Sequence, residues 1–201
     1  MSETKLDEIL SRLQLLQDEL ESEFEIILEE KKEYFQYTFE KGKVRFKKKV
    51  RELQRKHKKS LFKYIAEAKY QHIISAPFIY SVVIPILFID ISVTIYQHIC
   101  FRLYGIPRVK RSKYLVIDRQ HLEYLNALEK LNCMYCGYGN GVMSYVREII
   151  ARTEQYWCPI KHANKIIDSH RWTKNYVDYG DAKAYREKLV ELRKAVATDN
   201  A

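Results

Sequence analysis

The residues best suited to chemistry in this 201-residue chain are three cysteines and a histidine. Cys133-Met134-Tyr135-Cys136 sets two thiols three residues apart, and Cys158 is followed four residues later by His162. Each pair can close on a metal from one turn of chain. Together they make a Cys3His set suited to one tetrahedral zinc or iron ion. The twenty-one residues between Cys136 and Cys158 allow a turn at GYGNG and a helix over about Val142–Tyr156, which would return the second pair to the first. His170 is a second candidate for the fourth ligand. Other uses of the thiols stay open. An iron–sulfur cluster would need Cys100 in place of His162, and a redox dithiol normally sits in a βαβ setting that is absent here. In the plainest reading the cysteines are buried and bind nothing. His121, Glu123, Glu129, Glu148 and Glu154 lie nearby in sequence, but the Glu-x-x-His repeat of carboxylate di-iron sites is missing. No Gly-rich phosphate loop, HExxH or GxSxG occurs.

A second group of polar residues is set in oil. Ala76 to Tyr96 reads APFIYSVVIPILFIDISVTIY, with Asp90 as its only charged residue. Asp90, Thr94 and His98 recur every four residues and are expected on one helical face, with Gln97 beside them. A carboxylate in such a segment is costly unless paired, and by default it marks function. An iron-dependent redox enzyme acting on a lipid-soluble substrate at this stripe is one reading. The other is a stripe that faces the following domain.

Two resemblances bear on these residues. CMYCGYGNG resembles the first knuckle of rubredoxins over Cys133–Tyr138, and Cys158-Pro159 is similar to the second. The spacing of the second pair and the helical segment between departs from that family. The run YLNALEKLNCMYCGYGNG, with EQYWCPIKH, resembles a family of bacterial membrane-associated proteins over about Phe78 to His162. That likeness implies membrane association and brings no activity with it.

The elements that must position these residues follow from charge and periodicity. Leu6, Ile9, Leu13, Leu16, Leu20, Phe24 and Ile27 step by three and four, the stripe of an amphipathic helix. Such a helix pairs with another copy as a coiled coil, giving a homo-oligomer through residues 6–27, or packs on its own chain. Gln17–Glu30 holds seven acids and no base, whereas Lys41–Lys63 holds twelve Lys or Arg and one acid. Val44, Phe46, Val50, Leu53, His57, Leu61, Tyr64 and Ala68 predict a basic amphipathic helix beyond Gly42. It is suited to a membrane with anionic lipids. Nucleic acid is the weaker partner, because no helix-turn-helix, zinc-finger or RNA-binding signature accompanies the charge.

Ile73–Ile99 is long enough to span a bilayer, but Pro85 lies inside it, and both flanks are rich in Lys and Arg. Three arrangements fit: a re-entrant hairpin turning near Pro85, a single kinked span, or a buried soluble helix. Gly105 and Pro107 are expected to end this element. Asp118 is a plausible N-cap for a helix through RQHLEYLNALEKLN, and Asp181 for a last helix, AKAYREKLVELRKAVA. The tail from Thr198 is expected to fray. MSETKLDEIL lacks the basic and apolar regions of a signal peptide, and four cysteines suit a reduced compartment.

The expected fold is mostly α. Its parts are an acidic helix or coiled coil (1–40), a basic amphipathic helix (41–72), a membrane-inserted element (73–101), a Cys/His metal-binding module (102–175) and a C-terminal helix (176–201). The function it implies is a membrane-associated, metal-binding scaffold or interaction module on the cytoplasmic face of the bacterial inner membrane. Its substrate, if it is an enzyme, is unknown.

Overall fold

The computed structural model describes residues 3–40, 43–164 and 169–199. The chain is mostly helical and forms two compact units, Met1–Ala66 with Asp118–Lys130 and Glu67–Ile117 with Leu131–Ala201.

The first unit opens with α1 (Glu3–Phe35). Ile9, Leu13, Leu16, Leu20, Phe24 and Ile27 are all exposed along it, so the stripe has no cover from within the unit. The side chain of Leu6 lies outside the described residues. Gln36 then takes a left-handed conformation (φ 53°), and the chain enters a hairpin of β1 (Tyr37–Glu40) and β2 (Lys43–Phe46). The strands are antiparallel, with Tyr37 opposite Phe46 and Phe39 opposite Val44. This corrects the expected helix from Val44 to Ala68. Aromatic and β-branched residues alternate on both sides of Gly42, and the cross-strand rings of Tyr37 and Phe46 stand 5.5 Å apart. Helix resumes as α2 (Lys48–Lys56) and, after a break, α3 (Leu61–Ala66).

Two arginines of α2 hold the segment that follows Asp118. Arg51 Nη2 and Nε donate to Glu123 Oε1 at 2.7 and 3.0 Å, and Arg55 Nε donates to Oε2 at 3.1 Å. Glu123 N–H also donates to Gln54 Oε1. The paired guanidinium groups pull the Glu123 carboxyl below the usual range. Asp118 starts only a single 3-10 turn, Arg119–His121. The cap is Asn126 instead. Its Oδ1 accepts from Leu128 and Glu129 N–H, and Glu129 Oε2 accepts in return from Asn126 N–H. This reciprocal capping box starts a helix that runs on from Ala127.

In the second unit α4 (Tyr70–Ser81) and α5 (Val83–Tyr96) meet at Val82, whose backbone is itself helical. A π-helical turn at Gln97–Phe101 and the short α6 (Arg102–Tyr104) complete one helical run of 35 residues. No hairpin forms at Pro85. The proline occupies the first turn of α5, where a missing N–H costs nothing, so the chain continues in its direction. Gly105 ends the run in a left-handed conformation (φ 69°), and Ile106 N–H closes the cap on Phe101 O at 2.8 Å.

The chain then returns as an extended connector and enters α7 (Ala127–Trp157). Tyr80 meets Asn132, Asp90 meets Tyr138, Tyr96 meets Thr153 and Tyr104 meets Tyr156, so the two helices run parallel. Helix α7 passes unbroken through GYGNG, which the sequence predicts as a turn. Gly137 and Gly141 fall four residues apart on one face and let the connector lie against the helix. A Cβ at Gly141 would stand 2.8 Å from Tyr114 O. Beyond α7, α8 (Ala182–Ala197) starts at Asp181, whose Oδ1 accepts from Ala184 N–H.

Phe101, Ile106, Val109, Tyr145, Ile149, Trp172, Tyr176 and Val196 form the core. Arg152, 2% exposed, bonds Glu148, Pro107 O and Asp199, and Arg171 bonds the same two carboxylates. The tail is therefore tied down at Asp199 rather than frayed there.

Candidate functional site

The polar stripe of α5 is the most organised site in the second unit. Asp90, 5% exposed, accepts two bonds from Arg111: Nε to Oδ1 at 3.1 Å and Nη2 to Oδ2 at 2.6 Å. The Tyr138 hydroxyl donates to Oδ2 at 2.9 Å. Gln97 is equally engaged. Its Oε1 accepts from Val109 N–H at 3.0 Å, its Nε2 faces Val109 O, and it also donates to the Tyr145 hydroxyl. Thr94 Oγ1 lies 3.4 Å from the same hydroxyl.

Asp90, Thr94 and Gln97 are thus gathered on one face, and His98 is not. The reason is helical phase. Each residue turns about 100°, so two four-residue steps from Asp90 leave His98 about 80° away, whereas Gln97 returns to within about 20°. His98 is exposed, and its Nδ1 bonds Thr94 O at 2.7 Å.

Chemically, the arrangement is a clamp. Both Asp90 oxygens are committed, and bidentate Arg–carboxylate pairs are among the strongest polar contacts. It fastens the connector to the apolar helix across 21 residues of sequence. Sequence reasoning named Asp90 but not Arg111, Tyr138 or Tyr145. The available signal was the lone acid itself, which needs a counter-charge, and the basic run Arg108–Lys113 that follows it.

The cysteine set divides. Cys133 and Cys136 lie within α7, and Cys158 follows its last residue. Twenty-two residues of helix from Cys136 to its end separate the pairs by about 33 Å at 1.5 Å per residue, against about 2.3 Å for a zinc–sulfur bond. One chain therefore does not bring Cys133, Cys136, Cys158 and His162 around one ion. The turn expected at GYGNG, on which that closure depended, is helix. Near the second pair, Glu154 accepts from His170 at 2.8 Å and lies 3.9 Å from His162. Among the described residues no group of three or more His, Cys, Asp and Glu is arranged to hold a metal ion.

The helical run Tyr70–Tyr104 is long and apolar enough to cross a membrane, and only 11% of its most apolar window is buried. Its inner face carries Ile86, Asp90, Gln97 and Phe101, all buried. Its outer face carries Ile84, Phe88, Ile91, Ile95, Ile99 and Leu103, all exposed. At its C-terminal end Tyr104 stacks on Tyr156 at 5.0 Å and meets Trp157 edge-on at 5.4 Å. Comparison with protein-family models, curated proteins and solved structures finds no match.

Proposed function

We propose that this chain is a membrane-anchored scaffold or interaction module of the bacterial inner membrane, with the basic segment Lys41–Lys63 at the cytoplasmic face. The observation that carries this reading is the outer face of Tyr70–Tyr104. Ile84, Phe88, Ile91, Ile95, Ile99 and Leu103 are each more than half exposed. Leaving such a side chain in water rather than in an apolar phase forfeits about 1.5–3 kcal/mol. Six along one helix call for a cover of hydrocarbon or of a partner, and 35 helical residues extending about 52 Å, beyond the roughly 30 Å of a bilayer core, favour hydrocarbon.

A scaffold is favoured over an enzyme because the Asp90 carboxylate is saturated by Arg111 and Tyr138 and serves as a fastening. The exposed stripe of α1 supports the interaction role, as the surface on which a second copy would pair. Nucleic-acid binding through Lys41–Lys63 is weakened by Arg51 and Arg55, which are spent on Glu123. Zinc or iron enters this reading only through the pairs Cys133–Cys136 and Cys158–His162 taken separately.

The test is an alkaline carbonate wash of membranes from cells expressing the full chain. The protein is expected to stay in the pellet, and Phe88→Lys with Ile95→Lys to release it or abolish its accumulation. A wild-type chain that is monodisperse in detergent-free buffer would sink the reading.

A further inference from the structure

A cleft of about 490 Å³ opens where the apolar helix ends, lined by His98, Arg102, Ile106, Pro107 and Arg108. Its walls are fixed. Ile106 is buried and bonded to Phe101 O, and Arg152 holds Pro107 O at 3.0 Å. Its charge is unspent. Arg102 and Arg108 are exposed and make no ion pair among the described residues, whereas Arg51, Arg55, Arg111, Arg152 and Arg171 each meet a carboxylate. With Nδ1 of His98 engaged by Thr94 O, Nε2 is the ring nitrogen left for a ligand.

We infer that this cleft binds the phosphate of an anionic phospholipid, in the leaflet at the C-terminal end of the helix. This rests on the membrane reading above and adds a defined lipid site to it. Two guanidinium groups offer the forked donors that phosphate oxygens accept in pairs. Ile95, Ile99 and Leu103 lead away from the cleft along the exposed apolar face, where acyl chains would lie. The Tyr104, Tyr156 and Trp157 cluster at the same end is of the type that sits at headgroup level. The volume is that of a small-molecule site, large enough for a glycerophosphate headgroup. A soluble phosphate ester shares the anionic chemistry but has no use for the apolar face.

The experiment uses the full chain in nanodiscs of phosphatidylcholine with one-fifth phosphatidylglycerol, then transfer to mild detergent and native mass spectrometry of the lipid retained. Wild type is expected to keep about one phosphatidylglycerol per chain. The double variant R102Q/R108Q should lose it at least about tenfold, the scale of one charge-assisted bond. The control K188Q/K194Q removes equal charge from the exposed face of α8, outside the cleft, and should retain the lipid. R102K/R108K, which keeps the charge without the fork, should fall between, and it replaces the glutamine variant if that one does not fold. Equal retention by R102Q/R108Q, equal loss in the control, or equal competition by phosphatidylcholine overturns the site. Displacement by millimolar inorganic phosphate overturns the lipid as its source. A wild type that enters nanodiscs without lipid preference overturns this inference alone, whereas one that does not enter overturns the membrane reading with it.

Discussion

Gly139 and Gly141 sit two residues apart in α7, and alanine at each is expected to move stability in opposite directions. In a helix interior, glycine is less favourable than alanine by about 0.8–1.0 kcal/mol, so both substitutions begin with that gain. At Gly139 the new methyl would stand 3.5 Å from Ile86 Cδ1, ordinary contact with the flexible end of a side chain. The gain survives, and Gly139→Ala should stabilise by about 0.5–1 kcal/mol. At Gly141 it would stand 2.8 Å from Tyr114 O, 3.0 Å from Leu115 Cα and 3.1 Å from Leu115 Cγ. Two of these are backbone atoms of the connector, which Arg111 fastens to α5 and Val109 to the π-helical turn after it, so the segment cannot retreat without breaking other bonds. Overpacking of this kind costs about 1–3 kcal/mol, which exceeds the helical gain. Gly141→Ala should be destabilising by up to about 2 kcal/mol. Gly137→Ala, 3.3 Å from Val116 O, should fall between the two. In mild detergent, thermal melts followed by circular dichroism at the helix band should separate the variants, at about 2–4 °C per kcal/mol for a chain of this length. If Gly139→Ala and Gly141→Ala destabilise alike, GYGNG is a turn and the unbroken helix is wrong.

The remaining predictions address the clamp, the first unit and the cysteines. Asp90→Asn and Arg111→Gln should each cost about 1.5–3 kcal/mol, and the double variant little more than either alone, since both remove one interaction. Additive losses in a double-mutant cycle would refute the clamp. Glu123 has a depressed folded-state pKa, caused first by its bonds from Arg51 and Arg55. Its stabilisation is therefore full above the unfolded carboxyl value and is lost as pH falls through the lower folded one. Acid titration of wild type and Glu123→Gln should show the gap between their stabilities closing below about pH 4; a gap constant down to pH 2 would contradict the pairing. Zinc added to the reduced protein should leave the helical signal unchanged, because gathering all four ligands would require breaking α7. A stoichiometric fall in helix content with zinc would refute this geometry.

Much of the architecture is written locally. The apolar run fixes a helix able to cross a membrane, since no other local structure satisfies its backbone in oil. Asp181 caps α8 because its carboxylate reaches the N–H three residues on, and Leu192 and Val196 are buried because they recur at helical spacing. Gly105 ends the apolar helix because the left-handed cap favours a residue without Cβ. Asn126-x-x-Glu129 has the spacing of a capping box, a signal as local as the acid at position 118.

What the tertiary structure alone decided concerns residues whose local preferences were weak or opposed. The three glycines of GYGNG favour a turn in isolation; they are helical because the connector needs Gly137 and Gly141 to approach α7. That one decision sets the cysteine pairs about 33 Å apart. Cross-strand pairing of Tyr37 with Phe46 overrode the helical period that resumes after Gly42. Asp90 was legible as an anomaly, yet its partner Arg111 was one of several bases in a run, and only the return path of the chain chose it. A sequence specifies which groups must be satisfied, because burial of charge is costly wherever it occurs; which partner satisfies them depends on distances that exist only once the chain has folded.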